Sequence, residues 1–178
     1  MSINFKVADV ENLPYANGEF DAVISTFGVM FAPDQFSAAQ EMARVCRSNG
    51  TIATANWTEE GFIGQVFKII GRHITPPAGV LPPSRWGDET ALREMFGSSA
   101  QITDIVPREH IFRYCSIDHF LDFFRSYYGP IHKAFIALGD QSEGLEQDLR
   151  SLLEEFNTAT DGTVRIPSAY VDVIMKAS

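Results

Sequence analysis

The chain has 178 residues, 45% of them hydrophobic and 21% charged, with a formal net charge of −9. These are the proportions of a globular domain with one hydrophobic core, and they exclude a disordered tail. The acidic balance and four scattered lysines (Lys6, Lys68, Lys133, Lys176) speak against nucleic-acid binding, because nothing neutralises a phosphate backbone. Cys46 and Cys115 lie far apart, as in a reduced, cytoplasmic protein rather than a disulfide scaffold. The first residues carry no basic region followed by an apolar run, so no signal peptide is expected, and no apolar stretch is long enough for membrane insertion.

In chain order, Ile3 to Ala8 alternates apolar and polar residues and predicts a short strand. Turn residues from Asp9 to Gly18 follow. Phe20 to Thr26 is a short β-branched run and predicts a buried parallel strand. Gln35 to Arg47 has helical periodicity, with Phe36, Ala39, Met42, Ala43 and Cys46 on one face, Asp34 as N-cap and Arg44 and Arg47 suiting the C-terminal dipole. Asn49-Gly50 supplies a left-handed stop, and Thr51 to Trp57 predicts the next strand. Ile63 to His73 predicts a helix with Val66, Phe67 and Ile70 inward, and a proline-rich stretch follows. Further helices are predicted over Asp88–Phe96, Ile117–Tyr128, Ile131–Leu138 and Leu145–Phe156, with a strand over Ile102–Tyr114 bent at Pro107 and a closing strand over Tyr170–Lys176. Strand, helix and strand in succession predict an α/β domain with a mostly parallel sheet. One domain is expected over 1–178: a core over 1–57, later helices and a strand over 58–165, and a closing strand over 166–178.

Motifs exclude several chemistries. The sequence holds no Gly-x-Gly and no Gly-x-Ser-x-Gly, and Gly139 and Gly144 are followed by Leu145-Glu146 rather than Lys-Ser/Thr. The four histidines (His73, His110, His119, His132) lack metal-ligand spacing, so no metal site is expected.

Three segments carry a family signal. The run from Asp9 to Val23 (D-V-E-N-L-P-Y-A-N-G-E-F-D-A-V) resembles the "D-A-E-x-L-P-F-x-x-x-x-F-D-x-V" block of class I S-adenosylmethionine-dependent methyltransferases. Ser25 to Phe31 looks like the loop after that family's fourth strand, and Glu41 to Ile52 resembles its "E-x-x-R-V-L-R-P-G-G-x-I" helix-turn-strand. The later blocks Pro83–Asp88 and Ile166–Tyr170 are similar to less specific features of the same group, which includes the ubiquinone/menaquinone-biosynthesis C-methyltransferases.

The resemblance implies a Rossmann-like sheet of order 3-2-1-4-5-7-6, truncated at the N-terminus because strands 1 and 2, with their glycine-rich loop, have no counterpart in these residues. Strand 3 would then lack neighbours, and strand 4 would expose an apolar edge. A missing N-terminal segment or a homodimer would cover it. The resemblance also implies S-adenosylmethionine as cofactor and a small-molecule substrate. Asp9 and Val10 would meet the adenine, and Ser25, Thr26 and Phe27 would line the methionine end. Asp9 also reads as a residue capping its own turn, and Phe27, Met30 and Phe31 read equally as core. Met30, Phe31, Trp86 and Tyr127 are expected in the substrate pocket, the last two on segments that form a cap in the family. His110, Glu109, His73 and Tyr114 are the available general bases, and no catalytic residue is singled out.

Overall fold

The computed structural model describes residues 3–178. The chain is mixed α/β, with a four-stranded sheet and six α-helices among the described residues. In chain order the strands are β1 (Phe20–Thr26), β2 (Cys46–Trp57), β3 (Ala100–Tyr114) and β4 (Val164–Ala177). The helices are α1 (Gln35–Val45), α2 (Phe62–His73), α3 (Glu89–Phe96), α4 (Ile117–Tyr127), α5 (Gly129–Leu138) and α6 (Glu143–Phe156). The sheet order is β1-β2-β4-β3. This is the 4-5-7-6 portion of the order that the resemblance implies. β1 and β2 pair in parallel, from Ala22 opposite Thr51 to Thr26 opposite Ala55. β4 runs against its neighbours: Ser178 donates to Ser99 and Thr103 to Ile174, so residue numbers fall on β4 as they rise on β3.

The chain divides into two compact units. One runs up to Asn56 and adds Arg85–Val106 and Val171–Ser178; the other comprises Trp57–Ser84 and Pro107–Tyr170. In the first unit, α1 begins where Asp34 accepts the Ser37 amide, which fills one of the orphan donors of a helix start. Its buried face holds Ala38, Ala39, Met42, Ala43 and Val45. Gln35, at 2% exposure, is inward, and Phe36, at 58%, is outward, which reverses the expectation for Phe36. α3 starts on Asp88, which caps Ala91, and packs Leu92, Met95 and Phe96 into the core.

In the first residues of β2 the chain turns sharply. Asn49 has φ of 60°, a left-handed value that Asn tolerates better than most residues. Gly50 is required by crowding: a Cβ there would lie 2.5 Å from Cys46 Sγ and 2.7 Å from the Arg47 carbonyl. β2 therefore starts at Cys46, earlier than the periodicity suggests, with an irregular register against β1 before Thr51.

In the second unit, α6 buries Leu145, Leu149, Leu152 and Leu153. Each such burial contributes about 1.5–3 kcal/mol. The exposed ion pairs on the same helix contribute roughly 0.3–0.5 kcal/mol apiece, so packing fixes this helix. α2 buries Phe62, Ile63, Val66 and Ile69, while Phe67 and Ile70 are only half-buried. Phe62 meets the rings of Phe112, Phe120 and Phe156. Pro107 sits within β3, at the sheet edge, where strands tolerate proline.

Two expectations fail. Residues 3–8 form no strand, and Ile3, Phe5 and Val7 are 75%, 93% and 102% exposed. An alternating segment becomes a strand only against a partner, and the described residues offer it none. β1 is not buried on both faces either. It is the sheet's edge, no residue in it is fully buried, and Ile24 is 70% exposed. No helix of the described residues is long and apolar enough to cross a membrane.

Candidate functional site

The residues expected at the cofactor all lie in the first unit. Asp9 starts a tight turn: the Asn12 amide donates to its carbonyl at 3.1 Å, and the Glu11 amide donates to its Oδ1 at 3.0 Å. The self-capping role anticipated for Asp9 is therefore present. It uses one carboxylate oxygen, and the exposed side chain keeps the other. The Val10 amide donates to no group among the described residues, though the residue is half-buried. A free acceptor beside a free donor is the pairing that an adenine amino group and an adjacent ring nitrogen would satisfy.

At the carboxyl end of β1 the backbone is strained. Phe27 has φ of 54°, uncommon for a bulky residue, and its amide is fixed to the Ala55 carbonyl at 2.9 Å. Ser25 Oγ accepts the Val29 amide at 2.9 Å, which caps the short 3-10 turn Val29–Phe31 and leaves the hydroxyl proton for another acceptor. Thr26 is exposed. Gly28 follows directly.

The residues expected around the substrate divide between the units. Met30 is fully buried, Phe31 is 42% exposed and Trp86 is fully buried with its ring edge-on to Phe96; these belong to the first unit. Tyr127, 76% exposed, belongs to the second, where its ring lies 5.0 Å from that of Phe123. The candidate bases are all in the second unit. His73 Nε2 lies 2.9 Å from Asp148 Oδ2, which ties α2 to α6. His110 packs its ring against Phe112 at 4.6 Å, and burial pushes the Tyr114 hydroxyl pKa up. Glu109 is exposed on β3. The described residues contain no group of three His, Cys, Asp or Glu arranged to hold a metal.

Three features of the first unit escape the sequence reading. Arg44 and Glu41 turn towards Leu13 and Tyr15 rather than serving the end of α1. Glu11 accepts the Asp34 amide at 2.7 Å, tying the Asp9 turn to the start of the same helix. Asn56, fully buried on β2, donates to Thr54 Oγ1 at 2.8 Å while its Oδ1 has no partner among the described residues. A polar pair two residues apart, next to the end of a strand, was the available signal for Asn56.

Comparison with known proteins supplies the context for this geometry. Residues 1–54 match the family model for a methyltransferase domain. An uncharacterized protein of Mycobacterium tuberculosis is 37% identical over 163 residues, covering 88% of this chain and 59% of that protein. The chain thus spans little more than half the length of such relatives. The demethylmenaquinone methyltransferase of Deinococcus radiodurans is 32% identical over 96 residues, covering 53% of this chain and 40% of that enzyme. Among solved structures, a putative methyltransferase from Bacillus halodurans superposes with a TM-score of 0.57 at 12% identity, covering 95% of this chain and 69% of that one, which establishes likeness of fold. Residues 1–54 thus resemble a methyltransferase domain in sequence, and the chain resembles a methyltransferase in fold.

Proposed function

We propose that this chain contributes the adenine-side and β1-side contacts for S-adenosylmethionine and serves methyl transfer to a small-molecule acceptor. The observation that carries the reading is the end of β1, where a bulky residue, Phe27, is held at a left-handed φ of 54°. Strain of this kind persists where surrounding structure enforces it, and it concentrates at ligand-binding turns. The carboxyl end of a strand is also where open α/β sheets bind ligands.

S-adenosylmethionine supplies a methyl group on a sulfonium, with a good leaving group already built in. The protein's task is then mainly alignment. Asp9 accepts from the adenine amino group and the Val10 amide donates to the ring. Ser25, Thr26 and Phe27 face the methionine portion. These 178 residues contain no Gly-x-Gly, so the chain by itself binds weakly.

Calorimetric titration with S-adenosylhomocysteine tests this reading. Saturable binding is expected, and Asp9→Ala should weaken it roughly ten- to a hundredfold, the worth of one hydrogen bond to a charged group. A folded chain with no binding, or an Asp9→Ala variant that binds equally well, contradicts it.

A second reading is favoured by one observation, the exposure of Ile24 on the edge strand β1. In that reading the edge pairs with a second copy of the chain, and the chain is an interaction module.

A further inference from the structure

Between the Asp9 turn and β1 lies a loop with little regular structure, and α1 supplies a set of tethers to it. Arg44 Nε and Nη2 donate to the two oxygens of Glu41 at 2.6 and 2.7 Å, which locks the planar guanidinium in one orientation. So oriented, Nη1 donates to the Tyr15 carbonyl at 2.8 Å and to Asn17 Oδ1 at 2.9 Å, and Nη2 donates to the Leu13 carbonyl at 2.9 Å. Glu41 Oε2 completes the set by accepting the Leu13 amide at 2.6 Å. One ion pair therefore takes both backbone groups of Leu13 and reaches two further loop residues. The side chains are 17% exposed for Glu41 and 30% for Arg44, so solvent competes less than at an open surface pair. The backbone of the same helix joins in, as the Gly18 amide donates to the Arg44 carbonyl at 2.9 Å.

We propose that Glu41 and Arg44 are positioning residues that hold the Asp9–Val10 turn in its ligand-accepting place through the Leu13–Asn17 loop. The inference rests on the reading of Asp9 and Val10 as the adenine-side contact. The Asp9 turn is closed on itself by its own two hydrogen bonds, so it moves as a body. Its bonds to α1 are Glu11 to the Asp34 amide and Leu13 to the Glu41–Arg44 fork. Loosening the fork frees one side of the turn without removing any atom that would meet a ligand. Arg is needed because its donors lie in one fixed plane and serve five acceptor atoms on four residues at once; a lysine ammonium cannot match that fork.

The test uses the full chain and the conservative variants Arg44→Lys and Glu41→Gln, both chosen to preserve folding. Arg93→Lys is the control, since among the described residues Arg93 pairs only with Glu89 on the exposed face of α3. Two quantities are read where circular dichroism shows each variant folded: amide exchange over residues 10–17, and calorimetric affinity for S-adenosylhomocysteine and for adenosine alone. The expected result is exchange at Leu13 faster by about tenfold, the loss of one hydrogen bond to a charged partner, with a similar loss of affinity for both ligands and no change in the control. Faster exchange with unchanged affinity overturns the positioning role. Unchanged exchange overturns the clamp. A wild-type chain with a protected loop and no affinity for either ligand overturns the Asp9 reading instead, so the two failures are distinguishable.

Discussion

Glu41 shows how much a single side chain can carry. Its carboxyl is held below the usual carboxylate range chiefly by hydrogen bonding from Arg44; desolvation works the other way, and the Leu13 amide adds to the lowering. A carboxyl whose folded pKa lies below its unfolded value of about 4.3 contributes stability above that pH and loses it as pH falls through the folded value. Glu41→Gln should therefore destabilise the chain at neutral pH by roughly 1–2 kcal/mol, and the gap to the wild type should close below about pH 4. Urea unfolding across that pH range measures it; a gap constant down to acid pH contradicts the account. The sequence marks Asp34 as a helix cap because a cap and the amide it serves are three residues apart. It reads Arg44 only as a cation near a helix end. Its partners, Leu13, Tyr15 and Asn17, lie far away in the chain, and no local pattern points to them.

The Asn49-Gly50 turn at the start of β2 carries a second prediction. Asn49→Gly should be neutral or stabilising, whereas Asn49→Ala should cost about 1–2 kcal/mol for a left-handed residue without the Asn side chain. Gly50→Ala should cost about 1–3 kcal/mol, since the added methyl meets Cys46 Sγ and the Arg47 carbonyl and both must shift. Thermal unfolding of the three variants ranks them; Gly50→Ala as stable as the wild type contradicts the crowding described here. The Asn-Gly stop is legible because turn chemistry is local. The α1 face was misjudged at its first turn: Phe36 fits the apolar stripe, yet the structure exposes it and buries its neighbour Gln35. The alternation of Ile3, Phe5 and Val7 is equally plain in the sequence, but alternation describes a face, and a strand also needs a neighbour to bond.

Across the molecule, the two edges of the sheet contrast. β3 presents Asp104, Pro107, Arg108, Glu109 and Arg113 as exposed residues, a mixture of charge and proline that discourages another strand from adding. β1 presents Ile24, and its exposed Asp21 is already paired with Arg47. The purified chain should therefore associate as concentration rises, and Ile24→Lys should reduce that association without lowering the unfolding temperature. Light scattering over a concentration series reads this; a monomer at all concentrations contradicts it. The sheet order was reachable only through the family resemblance, because strand periodicity names strands without saying which of them pair. The resemblance rests on a few local motifs in the first third of the chain, and those survive as the Asp9 turn, the end of β1 and the turn at the start of β2.

The claim that binds these observations is that the Asp9 turn and the end of β1 receive one ligand. A two-dimensional ¹H–¹⁵N spectrum of the chain, titrated with S-adenosylhomocysteine, tests it most directly. The account predicts saturable shifts concentrated at Asp9, Val10 and Ser25 to Gly28, with Leu13 responding through the Arg44 fork. Shifts confined to the aromatic cluster around Phe112 and Phe120, or none in a well-dispersed spectrum, would contradict it.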